Sequence, residues 1–230
     1  MPTSPHFAPH INQLLDNLAE VEQLLGIHTA LVGGGPGRKR NVEVLNKSAI
    51  VLVVACWEAF VEDLASAALL FMIENASNHL IFPKSVLERV GSKFSGMNAW
   101  QLSGDGWKQA LHDNYTEILA KTTGTLNTPR TAQIDELFLK TIGISKISGY
   151  WKWKGRNQLG SVTAIDALVT LRGSIAHRVQ HSRSVRKKHV SDAVELISRL
   201  AAKSTNGVRT HVHACTGKYP WKTVIYRGIQ

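Results

Sequence analysis

The chain has 230 residues, of which 43% are hydrophobic and 19% are charged, and its formal net charge is +10. This length and composition allow one substantial core and exclude a chain that is disordered throughout. The surplus of Lys and Arg favours a polyanionic partner such as nucleic acid, because these side chains attract phosphate groups. A solvated basic surface without such a partner is the alternative interpretation.

The cysteines and the first residues bear on the cellular compartment. Cys56 and Cys215 are far apart in the sequence and indicate no disulfide framework, which fits a reducing cytoplasm. Residues 1–13 contain no basic region followed by an apolar segment, so they do not predict a signal peptide. We therefore expect a cytoplasmic protein.

The first predicted element is an amphipathic helix over residues 11–25, where apolar side chains recur at helical spacing and Gly26 is a plausible stop. Residues 33–40, GGGPGRKR, follow it. They lack the Gly-Lys-Ser/Thr ending of a phosphate-binding loop, and no clear strand precedes them. This segment is predicted to be a flexible connector with a basic tip.

The longest predicted helix covers residues 41–75, where the apolar pattern runs without Gly or Pro. Glu58, Glu62 and Asp63 lie near its centre, and three carboxylates there make a membrane span costly. We expect a core helix and no membrane partner. Because Glu58 and Glu62 are four residues apart, they share one helix face. They form either a solvent-facing stripe or a pair with arginines from another helix.

Shorter helical patterns follow, separated by stretches rich in glycine and other turn-forming residues. One of them opens with Thr131, a residue type suited to capping a helix. The predicted helices cover residues 84–94, 107–122, 131–142, 159–180 and 185–203.

Two groups of basic residues are predicted to bind RNA phosphates. One is interleaved with aromatic residues in the segment 146–157, KISGYWKWKGRN, and the other opens the last predicted helix. The aromatic residues from Tyr150 to Trp153 either stack bases beside a phosphate-binding groove or anchor the loop in the core. The predicted RNA-binding residues are Lys152, Lys154, Arg156, Arg186, Lys187 and Lys188.

Residues 206–230 differ in character from the rest of the chain, with short alternating runs broken by Gly and Pro. This pattern predicts a small β-hairpin packed on the same domain. His211, His213 and Cys215 would share one face of such a strand, but a fourth ligand is missing, so no metal site is predicted. The chain is accordingly divided into a helical domain, residues 1–205, and a C-terminal extension.

The strongest candidate for chemistry is the segment 168–178, LVTLRGSIAHR, which combines an apolar helical face with Arg172, Ser174, His177 and Arg178. An imidazole titrates near neutral pH and suits proton transfer, and a guanidinium can hold a phosphate with two donors. Five residues of a regular helix turn through about 500°, which leaves Arg172 and His177 about 140° apart. Either the helix is irregular, or Arg172 reaches round it, or a partner's residues complete the site.

Four motifs occurring in this order resemble HEPN-domain proteins, and more narrowly the subfamily named for its association with RiboL-PSP. The resemblance covers about residues 10–203. The motifs are WEAFVEDL (residues 57–64), LNTPRTAQIDELF (residues 126–138), the tryptophan pair Trp151 and Trp153, and LRGSIAHR (residues 171–178).

The resemblance implies an all-α helical bundle that forms homodimers, in which the Arg-x4-His motifs of both protomers meet at a shared cleft. Catalytic members of the family are endoribonucleases that need no metal or other cofactor, often in toxin–antitoxin or anti-phage systems. Arg172 matches the motif arginine and His177 the motif histidine, while Glu58 and Glu62 match acidic positions of the long helix. The family usually has a polar residue directly after the arginine, and this chain has Gly173 there.

These observations predict a metal-independent endoribonuclease with Arg172 and His177 as catalytic residues. Glu58 or Glu62 would hold the arginine, Arg178 would add positive charge, and Ser174 is the candidate to replace the missing polar side chain. The expected partners are RNA, a second copy of the chain and an antitoxin or defence-system protein. Two alternatives remain: a non-catalytic HEPN module that binds RNA or a protein, and a DNA-associated helical protein.

Overall fold

The computed structural model describes residues 8–32, 43–122, 124, 126, 128–177 and 184–226. These residues form α-helices and short 3-10 helices, with no β-strand beyond one isolated bridge between Trp153 and Arg156, which confirms the predicted all-α class. The α-helices are α1 (Pro9–Val32), α2 (Glu43–Asn75), α3 (Lys84–Gly91), α4 (Gly106–Asp113), α5 (Tyr115–Thr122), α6 (Thr131–Ile142), α7 (Gln158–His177) and α8 (Lys187–Thr216). The 3-10 helices are His79–Ile81, Gly96–Leu102 and Ile147–Tyr150.

The central element is α2, which is apolar around most of its circumference and packs against α1, α4, α6, α7 and α8. Its large side chains Trp57, Phe60, Leu64 and Met72 are fully buried. Burying one such side chain contributes about 1.5–3 kcal/mol, so this helix carries a large share of the stability. In the described part of the chain, α2 and α7 are each long and apolar enough to cross a membrane, but α2 is the core helix of the bundle.

Two predicted helix boundaries are wrong. The stop predicted at Gly26 does not occur, because α1 continues to Val32. A glycine inside a helix costs about 1 kcal/mol relative to alanine, and the packing of α1 on α2 offsets that cost. The single helix predicted over residues 107–122 is divided into α4 and α5 at Asn114, whose side-chain amide donates to the Ala110 carbonyl at 2.8 Å. The predicted connector, residues 33–40, lies outside the described residues.

The predicted C-terminal hairpin is also wrong, because α8 continues through residues 206–216 and ends at Gly217 (φ +73°). Val208 and Val212, four residues apart, are fully buried on one face of this helix. The local alternation of β-branched residues resembled a strand, but burial at helical spacing decided the conformation. The boundary predicted after residue 205 therefore falls inside α8.

The tryptophan pair has two different environments. Trp151 is fully buried, its indole N–H donates to Ser204 Oγ at 2.8 Å, and its ring meets Trp57 edge-on with 6.0 Å between centroids. It therefore anchors the loop in the core, as one of the two interpretations predicted. Trp153 stays partly exposed at the surface of the same loop.

The segment after α8 folds back over α1 and α8. The indole N–H of the buried Trp221 donates to the Thr205 carbonyl at 3.2 Å, and Arg209 Nε donates to the Trp221 carbonyl at 2.8 Å. The Trp221 ring also meets the His10 ring edge-on, with 4.6 Å between centroids. This segment thus joins α1 to the second half of α8.

His10 of α1 is enclosed by this packing. It is 3% exposed, its Nε2 lies 3.2 Å from Thr205 Oγ1, and its Nδ1 has no hydrogen-bond partner within the described structure. Burial lowers the pKa of His10 from 6.5 to about 4, because a charged imidazole would lose its hydration. The folded protein therefore holds His10 neutral.

Stability should fall as the pH decreases from 6.5 towards 4. The unfolded chain protonates His10 first, because its pKa is higher in the unfolded state, so the unfolding free energy should decrease by at most about 1.4 kcal/mol per pH unit from this residue. Urea titrations at several pH values should show a shallower slope for His10→Gln than for the wild type. His112→Gln, which changes an exposed histidine of α4, serves as the matched control. Equal slopes for wild type and His10→Gln would contradict the assignment.

Candidate active site

The candidate motif lies at the end of α7. This helix is α-helical through His177, its last described residue, so the irregular-helix explanation for the Arg172–His177 offset does not apply. The two backbone positions are thus about 140° apart. Two explanations remain: the long Arg172 side chain reaches round the helix towards His177, or a second protomer supplies one of the two groups. The side chain of His177 and all of Arg178 lie outside the described residues.

Arg172 is partly buried and faces α2. Its Nε is enclosed and has no hydrogen-bond partner within the described part of the chain, and no carboxylate there lies within salt-bridge distance of the guanidinium. Burial without a direct partner is costly for a charged group unless an opposite charge is near. Its outer nitrogens are therefore suited to an incoming anion such as a phosphate.

Glu58 of α2 supplies the nearby opposite charge. Burial raises the pKa of Glu58, and the positive charge of Arg172 opposes this by lowering it. Burial also raises the pKa of Glu62, with further contributions from the negative charges of Glu58 and Asp63 and none from Arg172. Of the two carboxylates on this face, the one that interacts with Arg172 is Glu58.

The two residues after Arg172 contribute little to the polarity of the site. Ser174 Oγ donates to the Leu171 carbonyl at 2.7 Å, so its proton is already used within the helix. A Cβ added to Gly173 would meet no atom within 4 Å. Packing within the protomer thus does not require glycine at this position.

Contacts from α6 hold α7 in place one turn before Arg172. The Arg130 guanidinium donates to the Asp166 carbonyl at 3.2 Å and to Thr170 Oγ1 at 3.0 Å. The Asp166 carboxylate in turn accepts from the Thr131 backbone N–H at 2.9 Å, which caps α6. The sequence pattern singles out Thr131 as a candidate cap, but the N-cap is Arg130, and neither Arg130 nor Asp166 was predicted to position α7.

Of the two predicted RNA-binding groups, the loop group contributes Arg156 to the lining of a groove between the 151–157 loop and α8, and the group at the start of α8 contributes no lining residue. Arg156 lines this groove with its guanidinium 5.7 Å from the Trp153 ring centroid, while the two loop lysines are exposed. At the start of α8, Lys188 pairs with Asp192 of the groove at 2.8 Å. The exposed residues of the two groups are Lys152, Lys154, Arg186, Lys187 and Lys188.

The histidines and cysteine near the end of α8 have structural partners. His211 Nε2 lies 2.7 Å from the Ile142 carbonyl and 3.6 Å from Cys215 Sγ, and the His213 ring stacks on Tyr219 at 3.8 Å. Within residues 8–32, 43–122, 128–177 and 184–226, no group of three or more His, Cys, Asp or Glu is arranged to hold a metal ion.

Comparison with known families identifies the class of protein that this fold and this motif define. The family model RiboL-PSP-HEPN matches residues 12–205, which include α2, α6, the tryptophan pair and Arg172 and His177. The chain belongs to this HEPN family, as the resemblance predicted. No curated protein matches the chain, and no solved structure does.

Removing the charge of Glu58 should not destabilise the protein. The folded-state pKa of Glu58 lies above its ordinary value, so ionisation of this group above that pKa opposes folding. We expect Glu58→Gln to keep or increase the unfolding free energy at pH 7, measured by urea denaturation. A clear loss of stability would show that the Glu58 carboxylate has a stabilising partner and would contradict this account.

Proposed function

We propose that this protein is a metal-independent endoribonuclease in which Arg172 binds the scissile phosphate and His177 acts as general acid and base. The observation that carries the proposal is the partly buried Arg172 guanidinium, held near Glu58 on a helix that ends at His177. Membership in the HEPN family supports an RNA-related or nuclease function.

The proposed reaction uses the RNA as its own nucleophile. His177 takes the proton of the 2′-OH, which attacks the adjacent phosphorus, and an imidazolium returns a proton to the departing 5′-oxygen. Arg172 stabilises the negative charge that develops on the phosphoryl oxygens. The products are a 2′,3′-cyclic phosphate and a 5′-hydroxyl. DNA is inert in this reaction because it lacks the 2′-OH.

A homodimer would complete the site. The most apolar stretch of α7, within Gln158–Ala176, is only 22% buried in one protomer, although its composition is that of a core helix. Leu159 is 72% exposed, and Leu171 and Ile175 are partly exposed beside Arg172. We infer that two copies pack through this helix and bring Arg172 of one protomer near His177 of the other. Arg178 would add positive charge to the shared cleft.

The proposed biological context is defence or toxin–antitoxin function in the cytoplasm. The net charge of +10 favours encounter with RNA, and a general RNase without an antidote would damage its own cell. An antitoxin or defence-system protein is accordingly a proposed partner.

RNA cleavage should persist in EDTA and depend on the two motif residues. We expect His177→Ala to lower the cleavage rate by about 10²–10⁴-fold and Arg172→Ala by about 10²–10³-fold, measured on labelled single-stranded RNA. The control for His177→Ala is His112→Ala. The control for Glu58→Gln is Asp63→Asn, which changes a carboxylate of α2 that does not face Arg172. Glu58→Gln should slow cleavage about tenfold through misplacement of Arg172. Equal rates for wild type and His177→Ala would disprove the catalytic assignment.

Mixing two inactive variants tests whether the site is shared between protomers. In a dimer of Arg172→Ala with His177→Ala, one of the two composite sites keeps both intact groups. If the groups act across the interface, an equal mixture should recover about a quarter of wild-type activity after exchange of subunits. No recovery, with dimer exchange verified by mass spectrometry of tagged copies, would show that the groups act within one protomer or that both copies of each are needed.

A non-catalytic HEPN module that binds RNA or a partner protein is the second candidate. Gly173 favours it, because the family's polar side chain after the arginine is missing and Ser174 already donates within its helix. The two functions differ in cells. Expression of an active RNase should inhibit growth in an Arg172-dependent manner, whereas a binding module should not.

A further inference from the structure

A groove of about 450 Å³ lies beside α7, on the surface between the 151–157 loop and the first half of α8. Trp153 and Arg156 form one wall, residues of α8 form the other, and Leu168 of α7 contributes the floor. Its walls combine an aromatic ring with charged groups of both signs. Such a combination is typical of a site for a ligand that has an aromatic part and a charged part.

Two guanidinium groups lie near the Trp153 ring. The Cζ atoms of Arg156 and Arg199 each lie 5.7 Å from the Trp153 ring centroid. Arg199 is also held by Glu195 at 2.9 Å and lies 4.5 Å from the Tyr226 ring centroid. Arg156 has no carboxylate partner within the described residues, so its donors are the ones available to a phosphate.

The opposite wall carries two carboxylates, Asp192 and Glu195, which would repel a ligand that is only a polyanion. Asp192 pairs with Lys188 through Oδ1, and Glu195 pairs with Arg199 through Oε1. Among the described residues, the second oxygen of each carboxylate has no partner and can accept hydrogen bonds from a ligand. A nucleobase with an exocyclic amino group brings two N–H donors for such bonds, whereas uracil has no amino group and brings only its ring N3–H.

The groove is aligned with the candidate active site. Ala164 and Leu168 line it, and Arg172 is the next residue at four-residue spacing on the same side of α7. Four residues correspond to a rise of about 6 Å along the helix. A single strand that places one nucleotide in the groove therefore brings a neighbouring phosphate towards Arg172.

We propose that this groove binds one nucleotide of a single-stranded RNA next to the cleavage site. The base stacks on Trp153 and donates from its amino group to Asp192 or Glu195, while Arg156 binds a phosphate. Cytosine, adenine and guanine offer an exocyclic amino group to these carboxylates, whereas uracil offers only its single ring N3–H and is expected to bind more weakly. The proposal rests on the proposed RNase function for the identity of the polymer, but its binding step is separable from cleavage.

The test measures binding without cleavage. Hexamers of 2′-O-methyl cytidine and 2′-O-methyl uridine lack the nucleophile, so their affinity for the full chain can be measured by fluorescence anisotropy at fixed salt. We expect the cytidine hexamer to bind at least about threefold more tightly than the uridine hexamer. Arg156→Gln and Trp153→Leu should each weaken the cytidine hexamer about tenfold and remove the preference.

Matched variants separate the groove from general charge and from surface tryptophan. Arg89→Gln removes the same charge from α3, and Trp100→Leu removes a 75% exposed tryptophan outside the groove. Both should bind within about twofold of wild type. We expect Arg156→Gln to fold, because the Arg156 side chain contacts Trp153 at the surface. Circular dichroism checks this.

The outcomes distinguish this proposal from the RNase function. Wild-type affinity in Arg156→Gln and Trp153→Leu overturns the groove, and so does the absence of hexamer binding by the wild type. Equal affinity for the two hexamers overturns base recognition by the carboxylates. Groove-dependent binding by a wild type that leaves ordinary RNA intact would support the groove and overturn the nuclease.

Discussion

The burial of α2 is the constraint on which the rest of the structure depends. A helix that is apolar on nearly all sides needs neighbours on nearly all sides, and α1, α4, α6, α7 and α8 supply them. The apolar surface of α2 is interrupted by the acidic residue Glu58, on the helix that α7 contacts. Burial raises the pKa of the Glu58 carboxyl there, and the positive charge of Arg172 offsets only part of that effect. The helix that builds the core thus also places a carboxylate near the arginine of the candidate motif.

The four sequence motifs lie on elements that contact one another. Trp57 of α2 and Trp151 of the loop contact each other in the core, and Ser204 fixes the second indole. Arg130, just before α6, donates to the Asp166 carbonyl of α7, and the Asp166 carboxylate accepts from the backbone at the start of α6. The first three motifs therefore contribute contacts in the core and between α6 and α7, and the last motif carries Arg172 and His177.

Most of the fold followed from periodicity, because long apolar patterns such as that of α2 are local properties of the sequence, whereas the cap of α6 comes from Asp166 on α7. The end of α8 did not follow, since Val208 and Val212 are helical on account of what they pack against. The spacing of Glu58 and Glu62 placed them on one face but could not tell which meets Arg172. The groove was also beyond prediction: Asp192, Glu195 and Arg199 look like an ordinary solvated helix face until the loop beside them is placed.

The contact of His10 with Thr205 joins residues 195 positions apart, and Trp221 closes over both. Contacts of such high sequence separation form late in folding, because a long loop must close before they yield any stabilisation. Until then, the side of α2 near Phe60 that His10 covers remains open to solvent and to other chains. The protein should therefore fold in a slow final step, and its partly folded form should be prone to aggregation or to capture by chaperones.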